Sequence, residues 1–190
     1  LRLLRNLNLP NLLTFARVVL TPVVVYCLLA ARYREALAVL LVAGVTDGLD
    51  GLAARALHSE TRFGAYLDPI ADKTLLSATY LALGVAGAVP WWLVGLVFGR
   101  DVLILLLAAL ALVFTHYRDF PPSRWGKLST FCQIGAALAA LTAAAFPAWN
   151  LPLAPFFWAA AAATAWSGAG YLWHAVTLAR RHVLDVRMLH

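Results

Sequence analysis

Thr46–Lys73 reads TDGLDGLAARALHSETRFGAYLDPIADK and holds four aspartates, Asp47, Asp50, Asp68 and Asp72, which with Glu60 make five of the nine acidic residues in the chain. The sequence on either side is of the kind that sits in lipid. A carboxylate at membrane depth costs about 2.5–3.5 kcal/mol at a helix centre on insertion scales. Four of them together require compensation, and a bound cation is the simplest form of it.

The 190 residues are 63% hydrophobic and 13% charged, with a mean hydropathy of +0.79. Soluble domains lie near about 45–50% apolar and 25% charged, so the composition predicts an all-α integral membrane protein. Apolar stretches at 9–31, 36–56, 64–87, 90–115, 127–148 and 152–179 are each long enough to span. A span needs about 20 mostly apolar residues, which predicts six transmembrane helices in a single membrane domain over 1–190. The first stretch follows Arg2 and Arg5, as in a signal peptide. It is too long for such a segment's apolar region and carries Asn11, Thr14 and Arg17, so it is read as a span.

A net charge of +6 raises the question of nucleic acid, which the distribution of the charge argues against. With the N-terminus inside, the cytoplasmic segments hold Arg2, Arg5, Arg55, Arg62, Arg118, Arg124, Lys127, Arg180, Arg181 and Arg187. The opposite side holds Arg32 and Arg34, next to Glu35. The positive-inside rule then places both termini in the cytoplasm, and the basic rim favours anionic lipid headgroups.

Residues 1–8, LRLLRNLN, suit a short helix lying in the membrane interface. Pro90 precedes Trp91 and Trp92, an aromatic anchor at a helix start, and Trp149, Trp158 and Trp173 suit the same task. The alanine-rich stretch 134–165 suits close helix packing. Cys27 and Cys132 form no disulfide or zinc pattern and read as small core residues.

Asp47 and Asp50 are three apart and share a helix face; Asp68 and Asp72 are four apart and share another. A short polar connection, 57–63, joins the two helices and predicts that the acidic faces meet at the cytoplasmic end. Hard oxygen ligands select Mg²⁺, Mn²⁺ or Ca²⁺. Gly51, Ala54 and Gly64 would let a planar or phosphorylated ligand approach the backbone, and Arg55 supplies a positive charge for a phosphate oxygen. The set suggests phosphoryl chemistry on a diphosphate substrate. The alternative is an acidic path for ions or solutes in a transporter, although broken helices and repeated halves are not apparent.

Asp47-x2-Asp50-Gly51-x2-Ala54-Arg55-x8-Gly64-x3-Asp68-x3-Asp72 resembles the motif of the CDP-alcohol phosphotransferase family, with eight fixed positions in 26 residues. The resemblance runs from about Leu9 to Gln133. It implies a six-helix fold, a homodimer, CDP-diacylglycerol as donor, CMP as product and an active site opening to the cytoplasmic leaflet. It further implies that Asp47, Asp50, Asp68 and Asp72 bind a divalent metal, Mg²⁺ or Mn²⁺, and that Asp72 is also the base. Asp47, Gly51, Ala54, Arg55, Gly64 and Asp68 map to the CDP-binding surface. The expected location is the bacterial inner (cytoplasmic) membrane.

The remaining sequence bears on the acceptor. Leu9-Pro10-Asn11-Leu12-Leu13-Thr14-x2-Arg17 and Leu67-Asp68-Pro69-Ile70-Ala71-Asp72-Lys73 resemble the branch with glycerol-containing acceptors, which holds phosphatidylglycerophosphate synthases and CMP-forming cardiolipin synthases. The former usually show Arg-Glu in the fourth span with another arginine soon after, and a Gly-Lys-x-Lys-Thr stretch. This chain has Arg100-Asp101 followed by apolar residues, and Gly126-Lys127-Leu128-Ser129-Thr130-x2-Gln133, with Ser129 in place of the second lysine. Fewer cations suit phosphatidylglycerol, a monoanion, better than glycerol 3-phosphate. Candidate contacts for acceptor or lipid phosphate are Arg17, Arg100, Arg118 and Lys127. Arg17 could instead snorkel to the interface, Arg100 could form an ion pair with Asp101 inside the bundle, and Arg118 and Lys127 could be interfacial anchors.

Overall fold

The computed structural model describes the backbone at residues 9–57, 62–115 and 124–188, and side chains at 18–45, 73–107, 125–173 and 175–177. Among the described residues the chain is helical without strands. Six helices follow in order: α1 (Leu9–Leu29), α2 (Tyr33–Leu57), α3 (Arg62–Val85), α4 (Trp91–Thr115), α5 (Arg124–Ala145) and α6 (Ala154–Met188). A 3₁₀ turn at Pro147–Trp149 lies between α5 and α6. The expected interfacial helix at 1–8 lies outside the described residues.

The tight connections follow from local chemistry. At the end of α1, Arg32 N–H donates to Cys27 O at 2.8 Å and Ala31 N–H to Leu28 O at 3.1 Å, with Ala31 left-handed at φ 56°. This paired closure satisfies carbonyls that the helix end would leave open. α3 closes the same way: Ala88 N–H donates to Leu83 O and Gly87 N–H to Gly84 O, with Gly87 at φ 73°. There the left-handed position is taken by the residue that adopts it without a Cβ clash. Pro90 then sets the start of α4, where its missing N–H is no loss.

The chain divides into two compact units, residues 1–90 with 137–151 and residues 91–136 with 152–190. In the first, α1 packs against both α2 and α3, with Val24, Leu28, Ala36, Ala43, Tyr80 and Leu83 in the core. In the second, α4 packs against α6. Leu93, Val94 and Val97 of α4 and Ala160 and Ala161 of α6 are buried there. A Cβ added at Gly168 would come 3.9 Å from Arg100 Cγ and from Leu103 Cδ2, an ordinary contact, so α6 presents a small residue to α4 at this level. Trp92 meets Trp158 at 5.4 Å between ring centroids, and Trp125 meets Trp166 at 5.9 Å.

Large apolar side chains also face outward, among them Leu105, Phe131, Trp158, Trp166 and Trp173. Exposure on this scale marks a surface that water does not cover. Among the described residues one helical segment, Trp125–Ala145, is long and apolar enough to cross a membrane, with a mean hydropathy of 1.5; Val18–Leu29 is a shorter apolar segment.

Candidate active site

The acidic motif falls on two consecutive helices. Asp47, Asp50, Gly51, Ala54 and Arg55 are in the second half of α2, and Gly64, Asp68 and Asp72 are in the first half of α3. Because both segments are helical, spacings of three and four residues amount to about one turn, and each aspartate pair shares one face. α1 packs against both helices and gives them a common support. The side chains of these eight residues and of Arg17 lie outside the described residues, and Arg118 lies outside them altogether. Among the described residues no three His, Cys, Asp or Glu side chains converge, and the motif aspartates lie outside that set. Their donor set is all oxygen, which fits a hard divalent cation.

The second unit carries a line of buried polar side chains along α6. Arg100 of α4 is 7% exposed. Its Nη1 donates to Asp101 Oδ1 at 2.7 Å and its Nη2 to Ser167 Oγ at 3.1 Å, and the guanidinium lies 5.9 Å from the ring centroid of Tyr171. Among the described residues the buried Arg100 Nε has no hydrogen-bond partner. One turn earlier on α6, Thr164 meets α5: Gln133 Nε2 donates to Thr164 Oγ1 at 2.9 Å and Ser129 Oγ donates to it at 3.3 Å. Gln133 Nε2 also lies 3.3 Å from Ser129 Oγ, and all three residues are buried.

Ser129 therefore sits inside a hydroxyl–amide cluster, whereas Lys127 on the same helix is exposed. Of these residues the sequence marks Arg100 as a candidate, Asp101 as its possible ion-pair partner, and Ser129 and Gln133 only as parts of the Gly126–Gln133 pattern. It does not mark Thr164, Ser167 or Tyr171, because α6 reads only as an apolar span. The available signal was two hydroxyls three apart in an alanine-rich helix, followed by Tyr171 four residues on. Thr164→Val should destabilise the fold by about 1–3 kcal/mol, because two buried donors lose an acceptor. The check is thermal unfolding in detergent, and an unchanged transition would show the cluster to be dispensable.

The chain belongs to the CDP-alcohol phosphatidyltransferase family, whose model matches residues 7–181. The family consists of membrane-bound transferases. The match also reaches beyond Gln133, the limit of the motif resemblance in the sequence, and takes in the α6 residues that pair with α4 and α5.

A Mycobacterium tuberculosis protein named provisionally as a phosphatidylglycerophosphate synthase is 39% identical over 138 residues, which are 68% of this chain and 63% of that protein. The chain thus spans less than two thirds of that relative's length. A second M. tuberculosis protein, named provisionally as a cardiolipin synthase, is 33% identical over 187 residues, 97% of this chain and 87% of that protein. The rat cardiolipin synthase (CMP-forming) is 37% identical over 118 residues, 62% of this chain and 38% of that protein.

Proposed function

We propose that this protein transfers the phosphatidyl group of CDP-diacylglycerol to a hydroxyl of phosphatidylglycerol, giving cardiolipin and CMP. The observation that carries the acceptor choice is Ser129. Where a second lysine would serve a dianionic acceptor, a small hydroxyl is buried and bonded to Thr164. Arg100 is in turn engaged by Asp101, so both features favour the less charged acceptor. The nearly full-length match to the provisionally named cardiolipin synthase points the same way. Glycerol 3-phosphate is the second reading, favoured by the higher identity to the phosphatidylglycerophosphate synthase.

In the proposed reaction the acceptor hydroxyl attacks the lipid-side phosphorus. A new O–P bond forms, the bond to CMP breaks with its electron pair leaving on CMP, and Asp72 takes the hydroxyl proton. Asp47, Asp50, Asp68 and Asp72 would hold a divalent metal, which when bound neutralises diphosphate charge. Gly51, Ala54 and Gly64 would admit the CDP moiety close to the backbone, and Arg55 would take a phosphate oxygen. The membrane reading comprises six spans, cytoplasmic termini and an active site opening to the cytoplasmic leaflet of a bacterial inner membrane. The sequence pattern of apolar stretches and basic segments supports it. A homodimer is proposed on the family resemblance.

The test is purified protein with CDP-diacylglycerol, Mg²⁺ and each acceptor separately, read by lipid mass spectrometry. Cardiolipin and CMP are expected with phosphatidylglycerol. Phosphatidylglycerophosphate as sole product would overturn the acceptor and keep the reaction class.

A further inference from the structure

The first unit has a second polar feature far from the acidic motif. The turn between α1 and α2 and the end of α5 line a cavity of about 300 Å³, whose walls include Arg32, Tyr33, Arg34, Glu35 and Ala145. Asp47 is fourteen residues along α2 from Tyr33, about 21 Å at 1.5 Å per residue. The cavity therefore belongs to the opposite end of that helix.

Its charged groups define a ligand chemistry. Two arginines face one glutamate, so the lining is positive by one charge. Arg32 Nη1 lies 3.4 Å from Glu35 Oε2 with both side chains more than half exposed, at 54% and 60%. A pair of that exposure is weak and yields readily to an arriving anion. Arg34 is held more firmly. Its Nε donates to Ala145 O at 3.3 Å, and its guanidinium lies 5.1 Å from the ring centroid of Phe146, which stacks on Trp149 at 4.8 Å. These contacts leave Nη1 and Nη2 of Arg34 without a hydrogen bond among the described residues. That free edge is a planar pair of donors matched to two oxygens of a phosphate.

The surroundings favour a lipid as the source of that phosphate. Trp149, stacked on the Phe146 ring that Arg34 covers, is 64% exposed, and Tyr26 and Leu29 of the last turn of α1, just before the cavity-lining Ala31, are 62% and 56% exposed. Exposed aromatic and apolar side chains near a pair of arginines suit a headgroup at the membrane interface. A net charge of one also matches a phosphodiester better than a dianionic monoester.

We propose that this cavity holds the phosphodiester of one anionic phospholipid, bound in the leaflet opposite the acidic motif. Arg34 grips the phosphate and Arg32 exchanges Glu35 for it. The leaflet assignment rests on the orientation proposed above; the binding chemistry does not.

The test uses the whole chain, delipidated in neutral detergent, with phosphatidylglycerol bearing a photoreactive headgroup and cross-linked peptides mapped by mass spectrometry. Phosphatidylglycerol is also the proposed acceptor, and the position of the cross-link separates the two sites. Labelling is expected within 31–35 or 144–149, competed by unlabelled phosphatidylglycerol but not by phosphatidylcholine or inorganic phosphate. Arg32→Gln, which keeps the packing of Arg34, should weaken competition at this site about fivefold, with an unchanged melting temperature and unchanged CMP release. Absence of these cross-links, or undiminished affinity in Arg32→Gln, would overturn the proposal. So would equal competition by phosphatidylcholine or by inorganic phosphate. Because labelling is read without turnover, a failure here is distinct from a failure of the transferase assay.

Discussion

Asp72→Asn is expected to lower CMP release from CDP-diacylglycerol by about 10²–10⁴-fold, the usual loss when a general base is removed, while the CDP-lipid still binds. Asparagine preserves the shape of the side chain and one carbonyl oxygen, so a ligating position is only weakened. It lacks a carboxylate to take the acceptor proton. Asp47→Ala, at a residue placed by the same proposal in the metal and CDP site alone, removes the ligating oxygens and should lose lipid and metal binding together with turnover. The two variants are compared by single-turnover CMP release and by equilibrium binding of CDP-diacylglycerol. Near-normal turnover in Asp72→Asn would remove that residue as the base. Equal loss of binding in both variants would reduce it to one ligand among four.

The second large effect lies in the other unit. Arg100→Ala should destabilise the fold by about 3–5 kcal/mol, because it strips Asp101 of its arginine in a low-dielectric interior. The side chains are 6% and 15% exposed, so water replaces the lost arginine only in part, although Asp101 keeps its other interaction. Replacing both partners by apolar groups, as in Arg100→Met with Asp101→Leu, removes both charges and should recover most of that loss. The double variant also separates packing from acceptor binding. If Arg100 serves only the ion pair, the folded double variant keeps the KM for the acceptor. A raised acceptor KM at undiminished stability would assign the guanidinium to the substrate instead. Chemical denaturation in detergent and acceptor titration provide the two readings.

The helices were legible because each apolar run exceeds what a short buried segment needs. Their ends were less so. The run at 152–179 ends where apolar residues thin out, yet α6 continues to Met188. Hydropathy reports what tolerates lipid, not where backbone hydrogen bonds stop, and the run Arg180–Met188 contains neither glycine nor proline to break a helix. The acidic motif was legible because its spacing is helical and its residue types are costly in apolar sequence. The partners of Arg100 and Gln133 were not, because Ser167 and Thr164 are 67 and 31 residues away. A single sequence has no local term for such a distance. Arg34 shows the same limit: nothing near residue 34 announces a hydrogen bond to the carbonyl of Ala145, 111 residues on.

The polar line on α6 also has a temporal consequence. Arg100 and Asp101 leave the ribosome first, then Ser129 and Gln133, and only afterwards the helix bearing Thr164 and Ser167. For that interval the guanidinium lacks its hydroxyl from Ser167, and the amide and Ser129 lack theirs from Thr164. The arrival of α6 is therefore the step that completes the polar interior of this unit. The order of synthesis makes α6 the latch for these buried bonds.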